Sequence, residues 1–246
     1  MQIKTGLYVV ILFLSNVLGS LAGFGAGLLS LPFLTQLFDA RMIIVASSVT
    51  CLLNAYIAVM WRSSICWKKL WTIVLYMCVG LPFGIAFLKG MPVGVIKGML
   101  GVLMIAVGIY GLAGLKWKKV SGLRFGKVVQ RILLFAAGVA QGAVSGGGSF
   151  LILYAQQEIR DKQQFRATLA VVWTAVSVVA LLQYGAAGML SGECFQYALI
   201  GAPAVFAGIF MGGVLSRRVS QRTFLYVVNI LLIAAGCISC GGQLMA

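Results

Sequence analysis

The chain has 246 residues, 61% of them hydrophobic and only 9% charged, with a mean hydropathy of +1.05. Soluble domains carry about 25% charged residues, so this composition excludes a water-soluble globular protein and indicates an all-α, polytopic membrane protein. Lys and Arg outnumber Asp and Glu by 19 to 4, but the basic residues lie in short stretches between apolar segments, as in cytoplasmic loops, which argues against a nucleic-acid partner.

Reactive side chains are scarce. Histidine is absent, and the four acids (Asp39, Glu158, Asp161 and Glu193) stand at or near segment ends. Metal sites and acid–base catalysis therefore have almost no side chains to draw on, and neither metal nor cofactor is expected. Six cysteines are scattered through apolar surroundings, where a thiol behaves as a small hydrophobe. Cys237 and Cys240 share a helix face at i, i+3, which leaves a membrane-embedded thiol oxidoreductase as an alternative reading. A structural membrane subunit whose glycines serve packing alone is another.

In chain order, apolar runs between charges predict eight segments at roughly 6–38, 42–61, 70–88, 93–115, 131–157, 165–187, 194–215 and 223–245. The first begins like a secretory leader, but its apolar run continues to Phe38 and reads as part of the mature protein. A single crossing takes about 20 residues, whereas 6–38 holds 33 and 131–157 holds 27. Each of these two long segments carries a glycine cluster, 23-GFGAG-27 in one and 146-GGG-148 in the other. Glycine costs roughly 1 kcal/mol in a helix interior relative to alanine, so both segments are expected to break there.

The two long segments also open the halves of an internal repeat. The run 19-GSLAGFG-25 matches 142-GAVSGGG-148, 46-AS-47 matches 167-AT-168, 80-GLP-82 matches 201-GAP-203, and 103-LMIAVG-108 matches 231-LLIAAG-236. Four matches in the same order indicate duplication, a frequent transporter plan. Loop charge then tests how the broken segments run. If all eight segments cross once, ten basic residues fall on one side and nine on the other. If each broken segment instead enters and leaves on the same side, the counts become four and fifteen, the asymmetry that membrane proteins show. Three crossings then remain per half, so the halves are inverted repeats: a glycine-broken helical hairpin followed by three transmembrane helices. Residues 1–115 and 131–246 form the halves, joined by a basic cytoplasmic linker at 116–130.

Irregular backbone at membrane depth is tolerated where protein buries it or a watery cavity meets it. A helix restarting after each break presents unpaired N–H groups and a partial positive charge, and glycine lets a ligand approach them. The expected anion site therefore comprises Gly23, Gly25 and Gly27 from one break and Ser145, Gly146, Gly147, Gly148 and Ser149 from the other. Ser47, Thr50 and Asn54 share one helix face, with Thr168 at the position equivalent to Ser47; these are candidates to line a path or to make ordinary interhelical hydrogen bonds. Asn16 and Gln141, just before the breaks, are placed to cap freed backbone or to contact substrate. Pro82 and Pro203, at matching positions, are candidate gating points. Arg41 and Arg166 read as interface anchors in preference to substrate ligands, and Trp61, Trp67, Trp71 and Trp117 at segment ends read as interface anchors too.

The motif 23-GFGAGLLSLPFL-34, its weaker copy 142-GAVSGGGSFLIL-153 and the helix starting Arg166-Ala-Thr resemble the TauE/SafE sulfite-exporter family of membrane transporters. The copies differ: Ala26 interrupts the first glycine run, and Tyr154 stands in the second copy where the first has Pro32. The resemblance implies transport of small sulfur-containing anions (sulfite, an organosulfonate such as sulfoacetate, or thiosulfate) across a bacterial cytoplasmic (inner) membrane; membrane lipids are a further expected partner, and the oligomeric state is left open.

Overall fold

A computed structural model describes residues 2–22, 26–56, 62–116, 126–159, 161–215 and, further on, 226, 229, 230, 233, 234, 236, 237 and 240. Among the described residues the chain forms nine α-helices. They are α1 (Gln2–Ala22), α2 (Gly27–Leu37), α3 (Ala40–Cys51), α4 (Trp67–Gly90), α5 (Val93–Lys116), α6 (Lys127–Val144), α7 (Gly148–Glu158), α8 (Lys162–Ala186) and α9 (Gly192–Leu215). A short 3-10 turn, Leu52–Asn54, extends α3. Five of these helices (α1, α4, α6, α8 and α9) contain stretches long and apolar enough to cross a membrane. Gly23, Gly25, Trp61, Trp117 and most of the expected segment 223–245 lie outside the described residues.

Both glycine-bearing segments are broken, and each doubles back. The expected run 6–38 is α1 and α2, with Phe38, just past α2, packed edge-on against Tyr8 near the start of α1 at 5.7 Å between ring centroids. Tyr197 of α9 completes that cluster and accepts a 2.9 Å hydrogen bond at its carbonyl from the Tyr8 hydroxyl. The run 131–157 is α6 and α7, and here Gln130 near the start of α6 donates to Glu158 at the end of α7 (3.1 Å). Glu158 also ion-pairs with Lys69 of α4. One doubled-back segment is thus fastened by aromatic rings and the other by charge. Each is followed by an aspartate that caps the next helix: Asp39 accepts from the Met42 N–H (2.9 Å) and Asp161 from the Gln164 N–H (2.7 Å). Two of the four acids in the chain thus serve as caps, worth about 1 kcal/mol each.

Glycines decide the helix pairing. In α4 and α6, Gly80 and Gly84 face Gly138 and Gly142 at i, i+4 spacing, and a Cβ on any of the four would run into the partner's backbone. The order of contacts, Gly138 at Met77 and Gly142 at Leu81 and Ile85, makes the pair parallel. The same arrangement joins α9 to α1, with Gly201 against Tyr8 and Leu12, Gly208 against Phe13 and Asn16, and Gly212 against Val17 and Ser20. Lipid tails are as apolar as leucine, so membrane helices associate through such close approach rather than through expulsion of water. The first helix of each half of the sequence therefore packs in parallel against the proline-bearing helix of the other half.

The outer surface is apolar. On α4 the residues Trp67, Trp71, Leu75, Val79, Phe83 and Phe87 recur every four positions and are exposed, while Ile73, Met77, Leu81 and Leu88 on the opposite side are fully buried. A soluble monomer rarely exposes so long a contiguous apolar stripe; facing lipid, it is the ordinary arrangement. Pro82 and Pro203 lie inside α4 and α9 on the exposed side, and neither interrupts its helix.

Replacing Gly138 by valine is expected to lower stability by about 1–3 kcal/mol or to prevent folding, because backbone meets the added Cβ. Gly114→Ala, where nothing lies within 4 Å, should be neutral or slightly stabilising. Thermal unfolding of both variants in detergent distinguishes the two sites; equal midpoints would refute the packing role of Gly138.

Candidate functional site

The two chain breaks meet inside the molecule but end differently. At the second, α6 stops at Ser145, which adopts the left-handed conformation (φ 47°, ψ 27°) otherwise favoured by glycine. Its N–H bonds to the Gln141 carbonyl at 3.0 Å, and the Gly146 N–H reaches back to the Ala140 carbonyl at 3.1 Å. The Gly147 N–H, at the start of α7, is taken by the Gln141 side-chain oxygen at 3.3 Å. Gln141 is therefore a cap for freed backbone. Ser145, Gly146, Gly147 and Gly148 are all buried, and Gly147 sits so tightly on the Ala137 carbonyl and Gln141 that a Cβ has no room. Helix α7 begins at Gly148, so Ser149 belongs to its first turn.

At the first break the situation is reversed. Helix α2 starts at Gly27 after Ala26, which offers no side-chain cap, and the Leu29 and Ser30 N–H groups share the Ala26 carbonyl at 3.0 Å. Gly27 has space around it: among the described residues a Cβ there would meet only Ser145, at ordinary van der Waals distance. Ser145 in turn lies 3.4 Å, hydroxyl to hydroxyl, from Ser47 of α3.

Beside Gly27 opens a cavity of about 60 Å³ of space that a water-sized sphere can enter. One water needs about 10–15 Å³ on that measure, so the cavity suits a ligand of few atoms. Five helices border it, with Asn16 and Ser20 from α1, Gly27 and Ser30 from the first turn of α2, Ser47, Thr50 and Asn54 from α3 and its extension, Arg166 and Trp173 from α8, and Ile209 from α9. The Ser47, Thr50 and Asn54 side chains each donate to a carbonyl of their own helix (Ile44, Ser47 and Cys51).

Several residues stand elsewhere than the sequence predicts. Thr168 takes the second of its two readings, an interhelical hydrogen bond: it is fully buried, is not among the described residues that line the cavity, and accepts a 3.0 Å bond from the Cys66 N–H ahead of α4. The helix turn that separates position 168 from the face carrying 166 and 173 points it at that neighbour. Arg166 is the reverse case: it reads from sequence as an interface anchor, yet it lines the cavity, where its guanidinium donates to Ser20 Oγ (3.5 Å). Arg41 holds the Met91 carbonyl at the end of α4 (2.8 Å). The sequence does not single out Trp173, because one tryptophan inside an apolar run carries no signal until its neighbours are known. It is 4% exposed, and its indole nitrogen is buried with no acceptor. Among the described residues lining the cavity, one is cationic and none is a carboxylate.

Comparison with known proteins gives this arrangement a context. A profile of the sulfite exporter TauE/SafE family matches residues 8–238. The chain belongs to that family. It is an integral, multi-pass membrane protein with a transport function, and not an enzyme. A curated protein from Comamonas testosteroni described as "Probable inner membrane transporter protein TsaS" is 27% identical over 167 residues, which is 61% of this chain and 68% of that protein. No solved structure matches significantly.

Two substitutions test the local geometry. Ser145→Gly should retain or raise stability, by up to about 1 kcal/mol, because glycine adopts positive φ without strain. Gln141→Met leaves the Gly147 N–H buried without a partner and should cost about 1–3 kcal/mol. Unfolding midpoints that move in the opposite sense would refute the capping arrangement.

Proposed function

We propose that this protein is a permease for small sulfur-containing anions in the bacterial inner membrane, binding its substrate where the glycine-rich breaks meet. The observation that carries this reading is the cavity at the start of α2, where a helix N-terminus whose N-cap residue Ala26 gives no side-chain cap, Gly27 and the cationic Arg166 border one small space with several polar side chains in its wall. Helix N-termini attract anions through unpaired N–H groups and the partial positive charge of the helix. The cavity has room for a compact anion such as sulfite or thiosulfate, or for a small organosulfonate such as sulfoacetate. The inner-membrane assignment follows the name of the Comamonas relative.

The architecture in this reading is two inverted repeats, 1–115 and 131–246, each a broken hairpin and three crossings, joined by the cytoplasmic linker 116–130. The matched packing of α1 on α9 and of α6 on α4 supports it, as do the returns of Phe38 to Tyr8 and of Glu158 to Gln130, and the equivalent caps Asp39 and Asp161. Ser47, Thr50 and Asn54 line the path. Rocking of the halves exposes the cavity alternately, with Pro82 and Pro203 yielding because a proline leaves the carbonyl one turn before it unbonded. With the cytoplasm negative, outward movement of one negative charge gains about 2.3 kcal/mol per 100 mV, so export needs no coupled ion.

The test is anion flux through purified protein in liposomes under an imposed potential, with sulfite, sulfate and thiosulfate compared. Potential-dependent flux that discriminates among them is expected. Gly27→Ala should carry near-normal flux, whereas Gly27→Leu fills the cavity and should stop it without unfolding the protein. Absence of flux of any anion through tight liposomes overturns the reading.

A further inference from the structure

The side chains that read the ligand lie on α8, and two observations converge on them. Arg166, Ala170 and Trp173 follow one another at i, i+4 and i+7, so they form one face of α8, and all three border the cavity. Arg166, which also bonds Ser20, contributes a permanent positive charge to the wall. Trp173 contributes an indole N–H that is buried, in a residue 4% exposed, and meets no acceptor among the described residues. A buried tryptophan N–H normally finds a partner. Both groups donate and neither accepts.

We propose that Arg166 and Trp173 are the ligand-contacting residues of the cavity, and that together they select an oxyanion with at least two acceptor oxygens over a spherical halide. This selection deepens the transport reading and rests on it. Residues seven apart on a helix are about 10 Å apart along its axis, so the long arginine and the broad indole approach the ligand from two directions. A single-atom anion can satisfy one of them well; an anion with oxygens on separate corners satisfies both. The start of α2 supplies a third direction, through Gly27. The planar guanidinium also matches paired oxygens in a way that an ammonium does not. The competing account of the indole is an ordered water shared with the buried hydroxyl of Ser177, one turn further along α8 and beside the Cys51 thiol.

The experiment uses the full-length protein, purified and compared as wild type, Trp173→Phe, Arg166→Lys and Arg166→Gln. Sodium salts of sulfite, thiosulfate, sulfate and chloride serve as probes, read by thermal stabilisation in detergent and by flux in liposomes. Trp173→Phe keeps an aromatic ring and removes the N–H, so it should fold like the wild type and weaken oxyanion binding at least about ten-fold, the loss of one hydrogen bond to a charged group. Its affinity for chloride should change much less, so the preference for oxyanion over chloride falls. Arg166→Lys should also lower that preference, and Arg166→Gln should abolish binding. If the wild type binds and carries an oxyanion while Trp173→Phe and Arg166→Lys leave affinity and preference unchanged, the assignment of these two residues is overturned and the transport reading survives. If the wild type neither binds nor carries any of the anions, both fall together. Arg166 also holds Ser20, so should its variants fail to fold, Trp173→Phe alone separates the outcomes: a lost oxyanion preference supports the assignment, and an unchanged one overturns it.

Discussion

Inside an apolar body, main-chain N–H and C=O groups that lose their helical partners have no water to turn to, and each one left unmet costs several kcal/mol. This chain interrupts two of its helical segments in that environment, and the rest of the structure is arranged around how the interruptions are met. At Ser145–Gly147 the freed groups are satisfied within the protein, by the Gln141 side chain and by the N–H groups that reach back to Ala140 and Gln141. At Ala26–Gly27 the N-cap residue offers no side-chain cap, and a cavity with polar side chains in its wall lies beside the new helix instead. Two similar motifs thus have unlike fates, one closed as structure and one open as surface.

The breaks can be held in register only because the helices around them are fixed. Close approach of α4 to α6 and of α1 to α9 depends on glycines whose missing Cβ atoms let backbone touch backbone. These two contacts tie each half of the sequence to the other. They bring α8 across the first break, so that Arg166 and Trp173 share a cavity with Gly27 although they are far from it in the chain. Fastenings at the two returns differ in chemistry: Tyr8, Phe38 and Tyr197 make an aromatic cluster, and Lys69, Glu158 and Gln130 an ionic one. The ionic cluster weakens with salt and solvent access in a way the aromatic one does not.

Glycine carries two meanings in this protein, and the difference is physical. Gly80, Gly84, Gly138 and Gly142 repeat at helical spacing on a single face and serve packing. Gly147, in the cluster that most resembles a ligand site in the sequence, is also a packing residue, pressed against Ala137 and Gln141. Gly27, which is less conspicuous in the sequence, is the one of these with space around it and a cavity next to it. A run of glycines says that backbone approaches something closely; it does not say whether that something is a helix or a ligand.

The sequence by itself determined the membrane class, the helices from segment lengths and hydropathy, and the two breaks, because hydrophobic runs and glycine clusters act locally and need no knowledge of neighbours. It also singled out Ser47, Thr50 and Asn54, whose i, i+3, i+7 spacing puts them on one face wherever that helix packs; the structure turns that face to the cavity. Only the tertiary structure decided which face of α8 looks inward. That choice made Arg166 a cavity residue and Thr168 a clamp on Cys66, and it left the indole of Trp173 buried without an acceptor. The reason is that a side chain's partner in a helical membrane protein is set by how neighbouring helices rotate and cross. That rotation is fixed by close contacts between residues far apart in the chain, and no local pattern records it.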